Sequence, residues 1–200
     1  MNRKDAINII CHQKLGKLSE SQRYNLLLSW WGIDEEEPIF QLLSSELQQE
    51  ILLNEDGPIK TPTDKRYNLF LLEILKETFI GVKNQYISKI VSEILSQNIN
   101  VIGLEETLFA CPCCLYKTIK TFGHYEVCPV CLWENDGNIV AERYSSANHM
   151  TLLEGRKNFE SYGYSSSCCF SNIPKDIKER YYRADISLYK VDNLKEYYKY

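Results

Sequence analysis

The sequence has no uninterrupted apolar run near the roughly 18 residues that a membrane helix needs, so no span is expected. Its first residues, MNRKDAINIICHQK, lack a signal-peptide core, because the apolar run is short and broken by charge. The expected compartment is the cytoplasm. A basic excess is also missing: the formal net charge is −4, which gives no bias toward polyanions. Histidine is scarce. His12, His124 and His149 form no His-x-x-x-His or similar ligand pattern. There is no glycine-rich phosphate loop and no nucleophile with a base at recognisable spacing. Together these absences argue against an enzyme.

Cysteine, by contrast, is plentiful, with eight in 200 residues. In a reducing cytoplasm that number points to metal binding or redox work and away from a disulfide scaffold. Four of the eight fall in two pairs, Cys111-Pro-Cys-Cys114 and Cys128-Pro-Val-Cys131, giving C-x2-C-x13-C-x2-C. Each Cys-x-x-Cys turn can offer two sulfurs to one ion, and the residues between can leave and return as a short hairpin. This is the sequence form of a structural zinc site holding one Zn2+. The proline in each turn suits the fixed φ of a tight knuckle. A thioredoxin-like redox pair fits less well, because it needs a single Cys-x-x-Cys at a strand-to-helix junction.

Four thiolates close a tetrahedral shell, so the ion is expected to hold structure and not to activate substrate. His124-Tyr125-Glu126 imitates the H-x-E of zinc deaminases. Only Val127 separates Glu126 from Cys128, however, which leaves no room for two helices, so Glu126 reads as a residue beside the second knuckle. Cys113 is a spare sulfur beside the ligands. It reads as either a thiolate tuned by the nearby ion or, the commoner case, a small buried hydrophobe, while Cys11 and the vicinal Cys168-Cys169 read as packing residues.

Nucleic acid is the other common employment of a zinc ribbon, but charge argues against it here. Residues 101–140 carry Lys117 and Lys120 against five acids, Glu105, Glu106, Glu126, Glu134 and Asp136.

From about 105 to 165 the chain resembles the bacterial cysteine-rich CPCC domain family. The resemblance is carried by CPCC at 111–114, GHYEVCPVCLWENDG at 123–137 and NHMTLLEGRKNFESYG at 148–163. One departure is Leu115, where the family tends to have glycine. The resemblance implies a small metal-binding module with no established reaction. Proteins of this kind resemble those found near secreted polymorphic toxins, where small cytoplasmic proteins serve as immunity partners.

The N-terminal half reads as helices. Ser19 with Gln22 forms a capping box before YNLLLSWW, and Gly32 is the expected stop. Ser44 caps a further helix, NEDGP at 54–58 makes a turn, and Thr63 or Asp64 caps the next helix. That helix carries apolar residues at Leu69, Leu72, Ile74, Leu75 and Phe79, and is expected to close or bend at Gly81. The following one carries Tyr86, Ile90, Ile94 and Leu95 near helical spacing. RYNLLL at 23–28 echoes RYNLFL at 66–71, a composition common at helix starts. After the cysteine module, Thr151 is expected to cap a helix stopped by Gly163. ISLYKV reads as a strand in a tyrosine-rich tail.

The expected architecture is α+β, mainly α. A helical domain spans 1–100, a four-cysteine ribbon module with a closing helix spans 105–165, and a tyrosine-rich segment at 166–200 packs on the body. The expected function is protein binding, as an immunity protein that neutralises a cognate secreted toxin by occluding its active site. The alternative is a zinc-ribbon nucleic-acid-binding or regulatory protein; a thiol redox role for Cys113 ranks third. Candidate partner-binding residues are Trp30, the run Asp34, Glu35, Glu36 and Glu37, and Glu134 and Asp136. Such an acidic surface suits a toxin with a basic cleft.

Overall fold

The computed structural model describes residues 1–166 and 173–185, which are mainly helical with short strands. Cys168-Cys169, the expected strand ISLYKV and the terminal KEYYKY lie outside the described residues. No described helix is long and apolar enough to cross a membrane. The described residues form two compact units. One comprises 1–80 with 87–104, and the other comprises 81–86 with the chain from Glu105 onward.

The first unit is helical: α1 (Arg3–Lys17), α2 (Glu20–Trp30), α3 (Pro38–Leu42), α4 (Ser45–Leu53), a 3-10 turn (Lys65–Tyr67) and α5 (Asn68–Glu77). α6 (Asn84–Leu95) begins in the second unit and continues into the first. The start signals behave as read. Ser19 and Gln22 form the capping box of α2, and Ser44 caps α4. Asp64 caps the 3-10 turn that leads into α5.

The stop of α2 differs from the reading. Trp31 is its C-cap, with its N–H turned back to the Leu28 carbonyl and its indole N–H bonded to Asn54 O at 2.6 Å. Gly32 follows without entering the left-handed region, so a buried aromatic anchor ends this helix and not a glycine cap. α5 likewise ends before Gly81. Its C-cap is Thr78, whose hydroxyl bonds the Leu75 carbonyl at 2.6 Å.

α5 packs against both α1 and α2 and forms the centre of this unit. Its buried stripe is Tyr67, Phe70, Leu71, Ile74 and Leu75; Leu69 is 43% exposed and Leu72 half-buried. Of the apolar positions read from the sequence, Ile74, Leu75 and Phe79 are buried, while Leu69 and Leu72 give way to Tyr67, Phe70 and Leu71. The register set by Tyr67 decides it, because that ring is fully buried and fixes the i+3, i+4, i+7 face. In α6 the buried residues are Tyr86, Ile87 and Val91, while Ile90, Ile94 and Leu95 are half-buried.

The two RYNL segments are not equivalent. Tyr24 is 40% exposed and Tyr67 is fully buried, while Arg23 of the first donates to Asn68 Oδ1 of the second at 3.0 and 3.1 Å. Glu50, almost fully buried, accepts from Ile59 N at 3.1 Å, Arg66 Nη1 at 3.0 Å and the Tyr67 hydroxyl. This carboxylate ties α4 to the loop that precedes α5.

The second unit has little regular structure of its own. β1 (Phe109–Ala110) pairs antiparallel with β2 (Lys117–Ile119), and β3 (Tyr144–Ser145) pairs with β4 (Met150–Thr151). α7 (Leu152–Tyr162) carries the expected Thr151 capping box and ends at Gly163, which is left-handed at φ 87. The short α8 (Ile177–Arg180) follows. Residues 182–184 then run along β2: Lys117 N bonds Tyr182 O at 2.8 Å, and Ala184 N bonds Leu115 O at 2.9 Å. Strands of two or three residues bury too little apolar area to stand alone. Four buried cysteines, at 111, 114, 128 and 131, lie in the turns of this unit.

Candidate metal centre

Each Cys-x-x-Cys turn is the tip of its own hairpin, and the two turns share one backbone pattern. In the first, Cys111 O accepts from Leu115 N at 2.9 Å, and Cys111 N donates to Tyr116 O at 2.8 Å. In the second, Cys128 O accepts from Leu132 N at 2.8 Å, and Cys128 N donates to Trp133 O at 2.9 Å. The bridge Val127–Glu134 continues the second hairpin. The hairpins are thus the knuckles themselves. The expected hairpin between them is instead β2 followed by a turn, because each tight knuckle already reverses the chain.

Both turns need a left-handed residue after the second cysteine, and both fill it with leucine: Leu115 at φ 66 and Leu132 at φ 64. Glycine would adopt this conformation without strain. The departure at Leu115 therefore leaves the turn geometry intact.

The result is a compact sulfur cluster. The Sγ atoms of Cys111, Cys114, Cys128 and Cys131 all lie within 4.8 Å of one another, with Cys111–Cys131 and Cys114–Cys128 each at 3.6 Å. A tetrahedral ion with bonds of about 2.3 Å places its sulfurs about 3.8 Å apart, so the four fit such an ion. All four residues have no exposed surface. Burial pushes the Cys111 thiol up and the Cys114 and Cys131 thiols well up. Burial acts on Cys128 in the same sense, but hydrogen bonds from the other three sulfurs and Thr118 outweigh it and hold this thiol well below its ordinary value. A cation at the centre favours the thiolate form of every ligand.

The surroundings lock the knuckles in place. Arg183 Nε bonds Cys114 O at 3.3 Å, and Ser165 N bonds Cys131 O at 2.8 Å. The Asn148 side-chain amide brackets Glu134, accepting from its N–H and donating to its carbonyl, each at 2.8 Å. α7 closes the module with the residues of its motif. Gly155 lies against the fully buried Trp133, Arg156 Nε bonds Pro112 O at 3.0 Å, and Asn158 Nδ2 bonds Ser165 O at 2.8 Å. The Phe159 ring meets Tyr116 edge-on at 6.5 Å.

The same contact explains the spare sulfur. Cys113 is 4% exposed, and its Sγ lies 3.6 Å from where a Cβ on Gly155 would stand. It packs the first knuckle on α7 and is outside the four-sulfur cluster. Cys11 is likewise a buried packing residue of α1, its thiol pushed up to about 11 by burial. Glu126 accepts from the backbone N–H groups of Lys120 and Thr121 at 2.7 and 2.8 Å, so it caps a turn. No histidine joins the sulfurs.

The proposed partner-binding residues divide between the units. Asp34, Glu35, Glu36 and Glu37 are exposed and line a cleft of about 790 Å3 with Ile33, Pro38 and Leu52. Trp30, next to them in sequence, is half-buried. Glu134 and Asp136 belong to the second unit and are half-buried, and Asp136 Oδ1 accepts from Asn138 N at 3.0 Å to close its own turn. Sequence reading missed Thr118, Asn148, Ser165 and Arg183. The closing-helix motif pointed to α7 without saying what each of its residues touches.

The geometry places four buried sulfurs where they can hold one metal ion. Residues 109–179 match the family model for Cysteine-rich CPCC, so this part of the chain is similar to that family. No curated protein and no solved structure matches the chain.

Proposed function

We propose that the protein is a non-catalytic binding protein. A single structural Zn2+ shapes its CPCC module, and its helical unit engages a basic partner protein. The reading rests on the cleft of Asp34–Glu37. Four exposed carboxylates line it together with Ile33, Pro38 and Leu52, and no cation of the described residues pairs with them. Such a surface attracts a basic face over distance and then offers apolar contact. The buried four-sulfur cluster supports a structural role for the ion, since a tetrathiolate shell has no position for water or substrate.

In the biological setting proposed here, the partner is a cognate secreted toxin and the protein is its cytoplasmic immunity partner, occluding the toxin's active cleft. Nucleic acid is not the proposed ligand, because the module carries few cations to neutralise phosphate.

The test is affinity capture of the tagged protein from its own cells after nuclease treatment, with the eluate identified by mass spectrometry. A stoichiometric protein that is toxic when expressed alone, and that E35K/E36K/E37K no longer captures, supports the reading. Unchanged capture by the triple variant removes the cleft from it. Recovery of nucleic acid without a protein partner overturns it.

A further inference from the structure

A tetrathiolate ion site leaves about two negative charges on the complex, counting four S− against a divalent cation. With all four sulfurs buried, water does not offset that charge, and donors have to come from the protein. One such donor is in place. The Thr118 hydroxyl lies 3.1 Å from Cys128 Sγ, in a residue only 8% exposed. The Tyr116 carbonyl is the competing acceptor, at 3.4 Å. A metal-bound Cys128 carries no proton, so in the loaded site the hydroxyl is the donor and the sulfur the acceptor. The negative sulfur is both the closer acceptor and the one that forms the stronger, charge-assisted bond.

The two knuckles share their backbone bonds, but their outer contacts differ. The residue seventeen positions after Thr118, matching the offset from Cys111 to Cys128, is Asn135. Its amide is used on the Thr121 carbonyl at 3.3 Å.

We infer that Thr118 is a positioning residue of the metal centre: it donates to the Cys128 thiolate, fixes the orientation of that sulfur and drains charge from the complex. This inference rests on the metal-centre reading.

It is tested by competing Zn2+ away from the full-length protein with a chelator of known affinity. T118V keeps the branched shape and removes the donor, whereas T118S keeps the donor. T118V is expected to bind Zn2+ about 10- to 100-fold more weakly, in the range seen when an outer-shell partner is lost. T118S is expected to stay close to the parent. Equal affinity for T118V and the parent overturns the inference, while a parent that binds no Zn2+ overturns the metal reading itself.

A second measurement needs no variant. In the parent protein loaded with NMR-active cadmium, the Thr118 hydroxyl proton is expected to couple to the metal through Cys128 sulfur. Absence of that coupling, in a spectrum where cysteine β-protons do couple to the metal, overturns the inference even if T118V does not fold.

Discussion

Gly155 has no room for a methyl group. A Cβ there would stand 2.7 and 2.9 Å from Trp133 ring carbons, and that ring is fully buried beside the second knuckle. Gly155→Ala is expected to lower stability by about 1–3 kcal/mol, the usual cost of overpacking, despite the better helix propensity of alanine. A thermal melt of the metal-loaded variant that matches the parent would show that α7 can shift away. Three buried groups set the alkaline limit. Burial raises Cys11 from 9.0 to about 11, and burial followed by hydrogen bonding to a carboxylate raises Tyr67 and Tyr86 from 10.0 to about 12. Each is held protonated by the fold, so its contribution is complete below its unfolded pKa and is lost as pH rises through the folded one. Stability should be flat to about pH 9 and fall between about 9 and 12. Chemical denaturation across that range checks this, with tyrosinate absorbance lagging behind that of free tyrosine.

At the scale of elements, α7 is the strut of the second unit, and its start rests on one side chain. The Thr151 hydroxyl accepts from Glu154 N at 3.2 Å, and the Glu154 carboxylate returns to Thr151 N at 2.7 Å. Thr151→Ala removes half of this box and is expected to cost about 1 kcal/mol, with Thr151→Ser restoring most of it. Urea midpoints for the two variants test this, and a Ser variant as weak as Ala would assign the loss to packing. The helices show why capping was readable and facing was not. Ser19, Ser44 and Thr151 act within three residues of themselves, so local sequence suffices. Ile74, Leu75 and Phe79 are buried in line with their spacing, but Tyr67 and Phe70 take the core while Leu69 is left exposed. Leucine, tyrosine and phenylalanine are all apolar enough to bury, and only the neighbouring helices choose among them.

At the scale of the molecule, the two units draw on different sources of stability. The first has helices packed around α5, whereas the second has strands of two or three residues around four buried sulfurs. Metal binding to such a module supplies folding free energy of the order of 10 kcal/mol. Chelation is therefore expected to strip hydrogen-exchange protection from residues 109–162 while α1 to α5 keep theirs. Protection at the knuckles that survives chelation would mean that packing of α7 alone holds them. Loss of protection in α1 and α5 together with the knuckles would mean that the ion also stabilises the first unit.

The sequence by itself determined the four cysteines that can hold an ion, the knuckle turns, the caps of α2, α4 and α7 and the stop at Gly163. Each is a short-range relation in which two to four residues fix the chemistry. The four cysteines were legible because thiolates in two Cys-x-x-Cys turns have few other uses in a chain of this kind. Tertiary structure alone decided that Cys113 packs on Gly155, that Thr118 reaches Cys128, that Asn148 brackets Glu134, and that Asp136 closes its own turn. These contacts join residues brought together by chain reversals at the knuckles and by the path of α7. Their partners depend on where the backbone returns, which no local pattern of residue types records.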